Sequence, residues 1–503
     1  MGLPGDRTRR AESTRATLVR LKPDATYVRF GDNPVMRLRI VLAFVLLALT
    51  SAGAQEPPRT WRLDFYSTGG LGGEDYSFDR LVVEPLPWPD TPRANLDPVP
   101  TGNYRFDVLD EAGRVTFARG YDPVFAEWVT TAEVREVRRS FHDSLRFPAP
   151  AGKATVVLYK RNQNQQYDEV WRYAIDPASI FIDRGAPPRQ QAIAVERHGD
   201  PQAKVDILLI GDGYTAAECR TKFRNDTRRL ANGLFALEPF SSRRNDFNIW
   251  GICPPAEQSG VSRPSTGVYR RTPVGTSYDA FGSERYILTY ENRALRDVAA
   301  WAPYEYITIL SNNETYGGGG LYRVYSTLSV DNAFADYLFV HEFAHHFAGL
   351  ADEYYTSPVA YEPPARIIEP WPANVTAATD PSRVKWRDLI APGTPVPTPW
   401  PKQAFEDASR AYQARRTQIR AANRPESEMV ELFRQQMEIE TKLLSAAEHA
   451  GKVGLFQGAN YDAQAFHRSE IDCVMFSRNR VPFCRVCQRA LSLVIDRHAA
   501  SPR

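Results

Sequence analysis

From Trp61 to about Asp176, apolar and polar residues alternate in short runs. Trp61-Arg-Leu-Asp-Phe-Tyr66, Tyr104-Arg-Phe-Asp-Val108 and Ala154-Thr-Val-Val-Leu-Tyr159 show the pattern most clearly. A period of two puts every second side chain on one face of a strand. Glycine-rich turns separate the runs, at Gly69-Gly-Leu-Gly-Gly73 and Asp110-Glu-Ala-Gly113. Short strands with such turns predict a β-sandwich over residues 57–185. The segment has one histidine, His142, and no cluster of metal-binding side chains, so an accessory role is expected of it.

The pattern changes at Val205-Asp-Ile-Leu-Leu-Ile210, a nearly continuous apolar run that predicts a buried strand. Gly211-Asp-Gly-Tyr-Thr215 then turns into a helix predicted from Ala216 to Leu237, with Thr215 and Glu218 spaced as a capping box. That turn lacks the lysine and hydroxyl residue of a phosphate-binding loop, so no nucleotide is expected. Strands over Phe247–Ile252 and Tyr306–Leu310, with a helix near Asn292–Trp301 between them, complete an α/β pattern over residues 195–503. Residues 402–449 are charged and free of glycine, and Pro425 divides them. They predict a helical hairpin, Lys402–Asn423 and Glu426–His449, inserted into the second domain with its charges solvated. The fold class expected is therefore α+β.

Ile40–Leu49 is apolar, follows Arg37 and Arg39, and precedes Ser51-Ala-Gly-Ala54. A basic start, a core of about ten apolar residues and a small-residue site predict a signal peptide over 36–54, cleaved near Ala54. Residues 1–35 then lie outside the mature protein, which is exported to the periplasm or beyond. The run is shorter than the roughly 20 residues of a stable membrane span. Lys+Arg number 62 and Asp+Glu 60, a net charge of +2, which excludes a broad electrostatic case for nucleic acid. Oligomeric state leaves no signature in the sequence. The five cysteines are Cys219, Cys253, Cys473, Cys484 and Cys487. Export permits disulfides, and an odd count leaves at least one thiol unpaired. Cys484-x-x-Cys487 is expected to form a local disulfide or to pack. A zinc knuckle needs four ligands, and only Cys473 and His467 lie near.

His341-Glu342-Phe343-Ala344-His345 matches H-E-x-x-H. Residues four apart on a helix share a face, so the imidazoles can hold one Zn²⁺ with Glu342 beside it as general base. Asp331 or Asn332 is placed to cap this helix. Phe334, Leu338, His341, His345 and Ala348 form one stripe, while His346 falls out of phase and is expected to be structural. Gly349 ends the helix, and the chain turns back to Asp352 and Glu353. A catalytic zinc needs a third protein ligand; Asp352 is favoured and Glu353 is the alternative. The arrangement resembles that of metzincins, with the glycine one residue later and a carboxylate replacing the last histidine. In metzincins a methionine turn underlies the metal, and Met475 in Asp472-Cys-Val-Met475-Phe fits it. An edge strand there pairs with substrate, which points to Gly318, Gly319, Gly320 and Leu321.

His341-Glu-Phe-Ala-His-His-Phe-Ala-Gly-Leu-Ala-Asp-Glu-Tyr-Tyr355 resembles the active-site segment of the IgA peptidase family of bacterial metallopeptidases. Gly211-Asp-Gly-Tyr-Thr215, Gly317–Gly320, Cys473-Val-Met475 and Cys484-Arg-Val-Cys487 are similar to its members too, over about residues 200–495. The β segment resembles the N-terminal domain that accompanies the family. The resemblance implies a zinc endopeptidase acting on a protein or peptide substrate, with His341, His345 and a downstream Asp as ligands and Glu342 as base. It does not imply IgA as the substrate. Tyr354, Tyr355 and Tyr461 are candidate oxyanion donors. Two rival readings are an inactive protease-like protein that binds through its β-sandwich, and a zinc amidase acting on peptidoglycan.

Overall fold

Residues 57–362 and 366–499 are described by the structure, a computed structural model. The predicted signal peptide and residues 1–35 lie outside them. The alternating stretch forms β1 (Arg59–Gly70), β2 (Gly73–Pro87), β3 (Tyr104–Asp110), β4 (Val115–Tyr121), β5 (Arg139–Pro148), β6 (Ala154–Arg161) and β7 (Tyr167–Ile175). They make two antiparallel sheets, ordered β2-β1-β5 and β4-β3-β6-β7. Positions two apart face inward together. Leu63 and Phe65 of one sheet share a core with Phe106, Val108, Val156 and Leu158 of the other. The Phe65 and Trp171 rings stack across it at 5.1 Å.

The second pattern forms a six-stranded sheet. Its strands are β8 (Ala192–Glu196), β9 (Val205–Asp212), β10 (Phe247–Ile252), β11 (Tyr306–Ser311), β12 (Gly318–Leu321) and β13 (Tyr325–Ser329), in the order β12-β13-β11-β9-β10-β8. The four central strands are parallel and the two edges antiparallel. β9 is buried at every position, which explains its unbroken apolar run. The capping box forms as predicted, but the helix after it does not run to Leu237. Ala216–Arg220 stops at Thr221, whose φ of −125° and ψ of −72° are not helical, and α1 (Lys222–Leu234) starts afresh.

Ile207 and Leu209 on one face of this sheet pack with α1, whereas Leu208 and Ile210 on the other join the core of the N-terminal strands. Ile307 and Ile309 add to that second core. Packing therefore runs across the change of pattern near residue 190, and the chain from Pro57 on forms one unit.

Helices α2 (Asn292–Ala299) and α3 (Ala335–Ala348) follow, then the hairpin arms α4 (Lys402–Ala421) and α5 (Glu426–Ser445). A small sheet, β14 (Val375–Thr376), β15 (Phe456–Ala459) and β16 (Asp462–Arg468), and α6 (Arg485–His498) complete the chain. The hairpin ends at Ser445, short of His449, and its charges are not all solvated. It buries Phe405, Tyr412, Ile419, Met429 and Phe433 in the core that holds α3. Arg416 and Arg420 both reach Glu284, at 2.7 and 2.9 Å. Glu426 accepts the backbone N–H of Tyr316 at 3.0 Å, which ties the hairpin to the start of the glycine strand.

Candidate metal centre and cleft

Helix α3 carries the H-E-x-x-H segment beneath β12 and β13. Neither predicted capping residue caps it. Phe334 is the N-cap and has no side-chain bond, while Asn332 Oδ1 accepts from the Phe334 N–H at 3.0 Å. Asp331 pairs instead with Lys222 at 2.7 Å. Gly349 closes the helix with φ 61° and ψ 35°, and its N–H returns to the His345 carbonyl. A Cβ there would meet the Trp371 ring at 2.1 Å, so only glycine fits.

The turn brings Asp352 back over the imidazoles. Asp352 Oδ1 lies 3.0 Å from His341 Nε2 and 3.3 Å from His345 Nε2, and the two Nε2 atoms are 3.2 Å apart. Each Nδ1 faces a backbone carbonyl, Val474 at 3.1 Å for His341 and Leu350 at 2.5 Å for His345. A carbonyl only accepts, so each Nδ1 carries the hydrogen and each Nε2 is left to bind a cation. Ligands about 2.1 Å from a tetrahedral zinc stand about 3.4 Å from one another; the observed triangle fits that spacing. Asp352 Oδ1 is buried and has no other donor, while Oδ2 takes the Tyr461 hydroxyl. Three electron-rich atoms converge here, and the protein groups alone draw positive charge to them. Burial pulls the His345 imidazole down, but Asp352 and Glu342 outweigh it and hold it at about 9. Burial raises the Asp352 carboxyl, yet the two imidazoles outweigh it and keep it well below its ordinary value.

Glu353 points the other way. Its carboxylate lies 3.3 Å from Cys487 Sγ and takes an Asn374 N–H at 3.1 Å. Glu342 lines the cleft beside the imidazoles, and burial raises its carboxyl above the ordinary range. His346 is buried between Leu321 O and the Ile307 N–H, at 2.9 and 3.0 Å; burial drops its pKa to about 3, a neutral structural residue. Met475 is buried, and its carbonyl accepts the Glu353 N–H at 2.9 Å.

β12 is an edge strand lying against α3. A Cβ on Gly320 would stand 2.4 Å from the Glu342 carbonyl, and one on Gly318 2.9 Å from the Glu342 side chain. The glycines thus permit close approach of strand to helix. Gly318 and Gly320 line the cleft. The outer hydrogen bonds of Gly318 are already taken, its N–H by Arg285 O and its carbonyl by the Ile287 N–H, at 3.0 and 3.1 Å. Gly319 and Leu321 are buried.

Of the three tyrosines, Tyr354 and Tyr461 line the cleft and Tyr355 does not. Tyr355 reaches Glu406 on the hairpin at 3.2 Å. Tyr354 stacks near His341, centroids 6.3 Å apart, and meets the Arg285 guanidinium at 3.2 Å.

The cleft encloses about 670 Å³ and has walls that sequence spacing does not reveal. Arg285 comes from the long connection between β10 and α2. Asp122 and Glu127 come from the N-terminal segment, which is thus more than accessory. Burial pushes the Glu127 carboxyl up to about 7, although the hydroxyls of Tyr286 and Tyr361 donate to it.

Comparison with protein families finds that the model described as IgA Peptidase M64 matches residues 193–495, and Peptidase M64 N-terminus matches residues 55–172. No curated protein matches the chain.

Proposed function

Since the chain belongs to the IgA Peptidase M64 family, a family of metallopeptidases, we propose that it is an exported zinc endopeptidase with Glu342 as general base. The observation that carries this reading is the convergence of His341 Nε2, His345 Nε2 and Asp352 Oδ1 within 3.3 Å of one another at the floor of the cleft. These residues would hold the zinc. The ion supplies Lewis acidity, which acidifies water and polarises a peptide carbonyl.

The rest falls to the protein. Glu342 sits one residue from a ligand and does not join the triangle of donor atoms, so it is free to take a proton from the attacking water and deliver it to the leaving nitrogen. Its raised affinity for a proton suits a base that must also give the proton up. Arg285 and Tyr354, joined to each other, place donors near the reacting carbonyl. Gly320 lets β12 lie close against α3 at the cleft. An extended peptide along this cleft would meet Glu127 of the N-terminal segment and the Tyr286 and Tyr361 hydroxyls that donate to it. The metzincin-like order of elements, a sandwich-type N-terminal domain and export after a signal peptide belong to the same reading.

The test is Glu342→Gln, which keeps the side chain's size but cannot accept a proton. Hydrolysis of peptides blocked at both ends should fall at least about 100-fold, with zinc content unchanged. Near-parental hydrolysis would remove the mechanism. Digestion of peptidoglycan but not of blocked peptides would transfer the same centre to an amidase.

A further inference from the structure

Behind the Asp352 loop lies a second convergence of ligand-type side chains. Cys473, Cys484, Cys487 and Glu353 each present one donor atom, and all four atoms lie within 4.8 Å of one another. All four residues are buried. Cys473 Sγ is 3.9 Å from Cys487 Sγ, and Glu353 Oε1 is 3.7 Å from Cys484 Sγ and 3.3 Å from Cys487 Sγ. Around a tetrahedral zinc with bonds of about 2.3 Å to sulfur and about 2.0 Å to oxygen, sulfur atoms stand about 3.8 Å apart and sulfur and oxygen about 3.5 Å apart. The cluster has that size.

The local backbone is arranged for thiolates. The N–H groups of Cys484 and Met475 point at Cys473 Sγ, at 3.2 and 3.5 Å, and the Cys487 N–H points at Cys484 Sγ, at 3.4 Å. The Ser469 hydroxyl adds a donor to Cys484 at 3.2 Å. Cys484 is also the N-cap of α6, whose dipole favours negative charge there. Glu353 Oε2 is buried without a partner, a costly arrangement for a carboxylate unless a cation stands beside it.

A disulfide explains less. Cys219 and Cys253 are bridged elsewhere, and these three thiols are not. Any pairing among three leaves one buried thiol over and gives Glu353 no role. One ion uses all four groups. Thiolate-rich tetrahedral sites select zinc. Sequence alone predicts a local disulfide or simple packing for Cys484-x-x-Cys487; His467, the nearby histidine, stands outside the cluster, and Glu353 supplies the fourth group.

We propose that Cys473, Cys484, Cys487 and Glu353 bind a second, structural zinc ion. Its effect would reach the first centre through the chain. Glu353 directly follows Asp352, and its N–H holds the Met475 carbonyl. Cys473 directly precedes Val474, whose carbonyl orients His341. The ion would therefore clamp together the two loops that position two ligands of the cleft.

The test is metal analysis of the full chain purified with zinc supplied and no chelator. The parent should carry about two zinc ions, and His341→Ala/His345→Ala about one. Refilled with cobalt, that double variant should still show sulfur-to-cobalt charge-transfer absorption, a signature no histidine and carboxylate site gives. Cys484→Ser/Cys487→Ser should lose one ion and that absorption. If the cysteine variant fails to fold, the cobalt spectrum of the histidine variant decides. A parent with one zinc and a disulfide among these cysteines by mass would overturn the proposal. So would a histidine variant that binds cobalt without the thiolate bands. Neither result bears on the first centre, whose zinc is lost only in the histidine variant.

Discussion

Asn460 and Tyr461 have φ values of 49° and 66°, in a region that costs a non-glycine residue on the order of 1 kcal/mol or more. They form the two-residue turn between β15 and β16, where positive φ at both positions matches the twist of a hairpin. The turn aims the Tyr461 hydroxyl at Asp352 Oδ2 and leaves Oδ1 facing the imidazoles. Partners of this kind typically contribute 10–100-fold in metal affinity. Tyr461→Phe should therefore bind zinc about 10–100-fold more weakly, as measured by competition with a chelator, and retain the fold; unchanged affinity would assign the hydroxyl another role. The two histidines and Asp352 are legible in sequence because helix spacing and one glycine turn set their geometry within a dozen residues. Tyr461 is 109 residues away from Asp352, and Arg285 is separated from the helix by α2, β11, β12 and β13. No periodicity links either to the centre, because long-range packing places them. The choice between Asp352 and Glu353 is legible only as a preference for Asp352, since adjacent residues in an irregular loop have no preset face.

Among the elements, regular patterns were the legible part. β9 and α3 follow from an apolar run and a helical stripe, and the hairpin arms from composition and Pro425. What composition hides is the hairpin's inner face. Its charged residues include Glu440, which is 4% exposed and held by Gln436 at 2.6 Å. Burial pushes its carboxyl from an ordinary 4.5 up to about 7. Between those values the folded chain keeps a proton that the unfolded chain has lost. Stability therefore falls as pH rises through that window, and the loss is complete above about 7. The penalty is on the order of 3 kcal/mol. Glu440→Gln should match the parent's melting temperature near pH 4 and exceed it at pH 8. Parallel melting curves across that range would mean that water reaches Glu440 in the folded chain.

At the scale of the molecule, the N-terminal strands are part of the machinery because they close both a core and a wall of the cleft. Leu208, Ile210, Ile307 and Ile309 face them, so removal would uncover an apolar sheet surface. A buried charge cluster also joins the N-terminal segment to the last helix. Arg323, beside β12, donates to both oxygens of Asp97, at 2.9 and 2.7 Å, and Arg497 of α6 reaches the same carboxylate. The Asp97 side chain is 2% exposed, and both arginines outweigh its burial, so the carboxyl stays below its ordinary range. Asp97→Asn leaves two guanidinium groups facing each other without their counter-charge. Breaking such a cluster typically costs about 3–5 kcal/mol. The variant should melt well below the parent at neutral pH. It should regain part of the difference if Arg497→Leu is added, because that change removes one of the stranded charges. A double variant no more stable than the single one would show that Arg323 alone carries the pairing. Arg323 stands two residues past the end of β12, which lies directly over the helix that holds the two histidines.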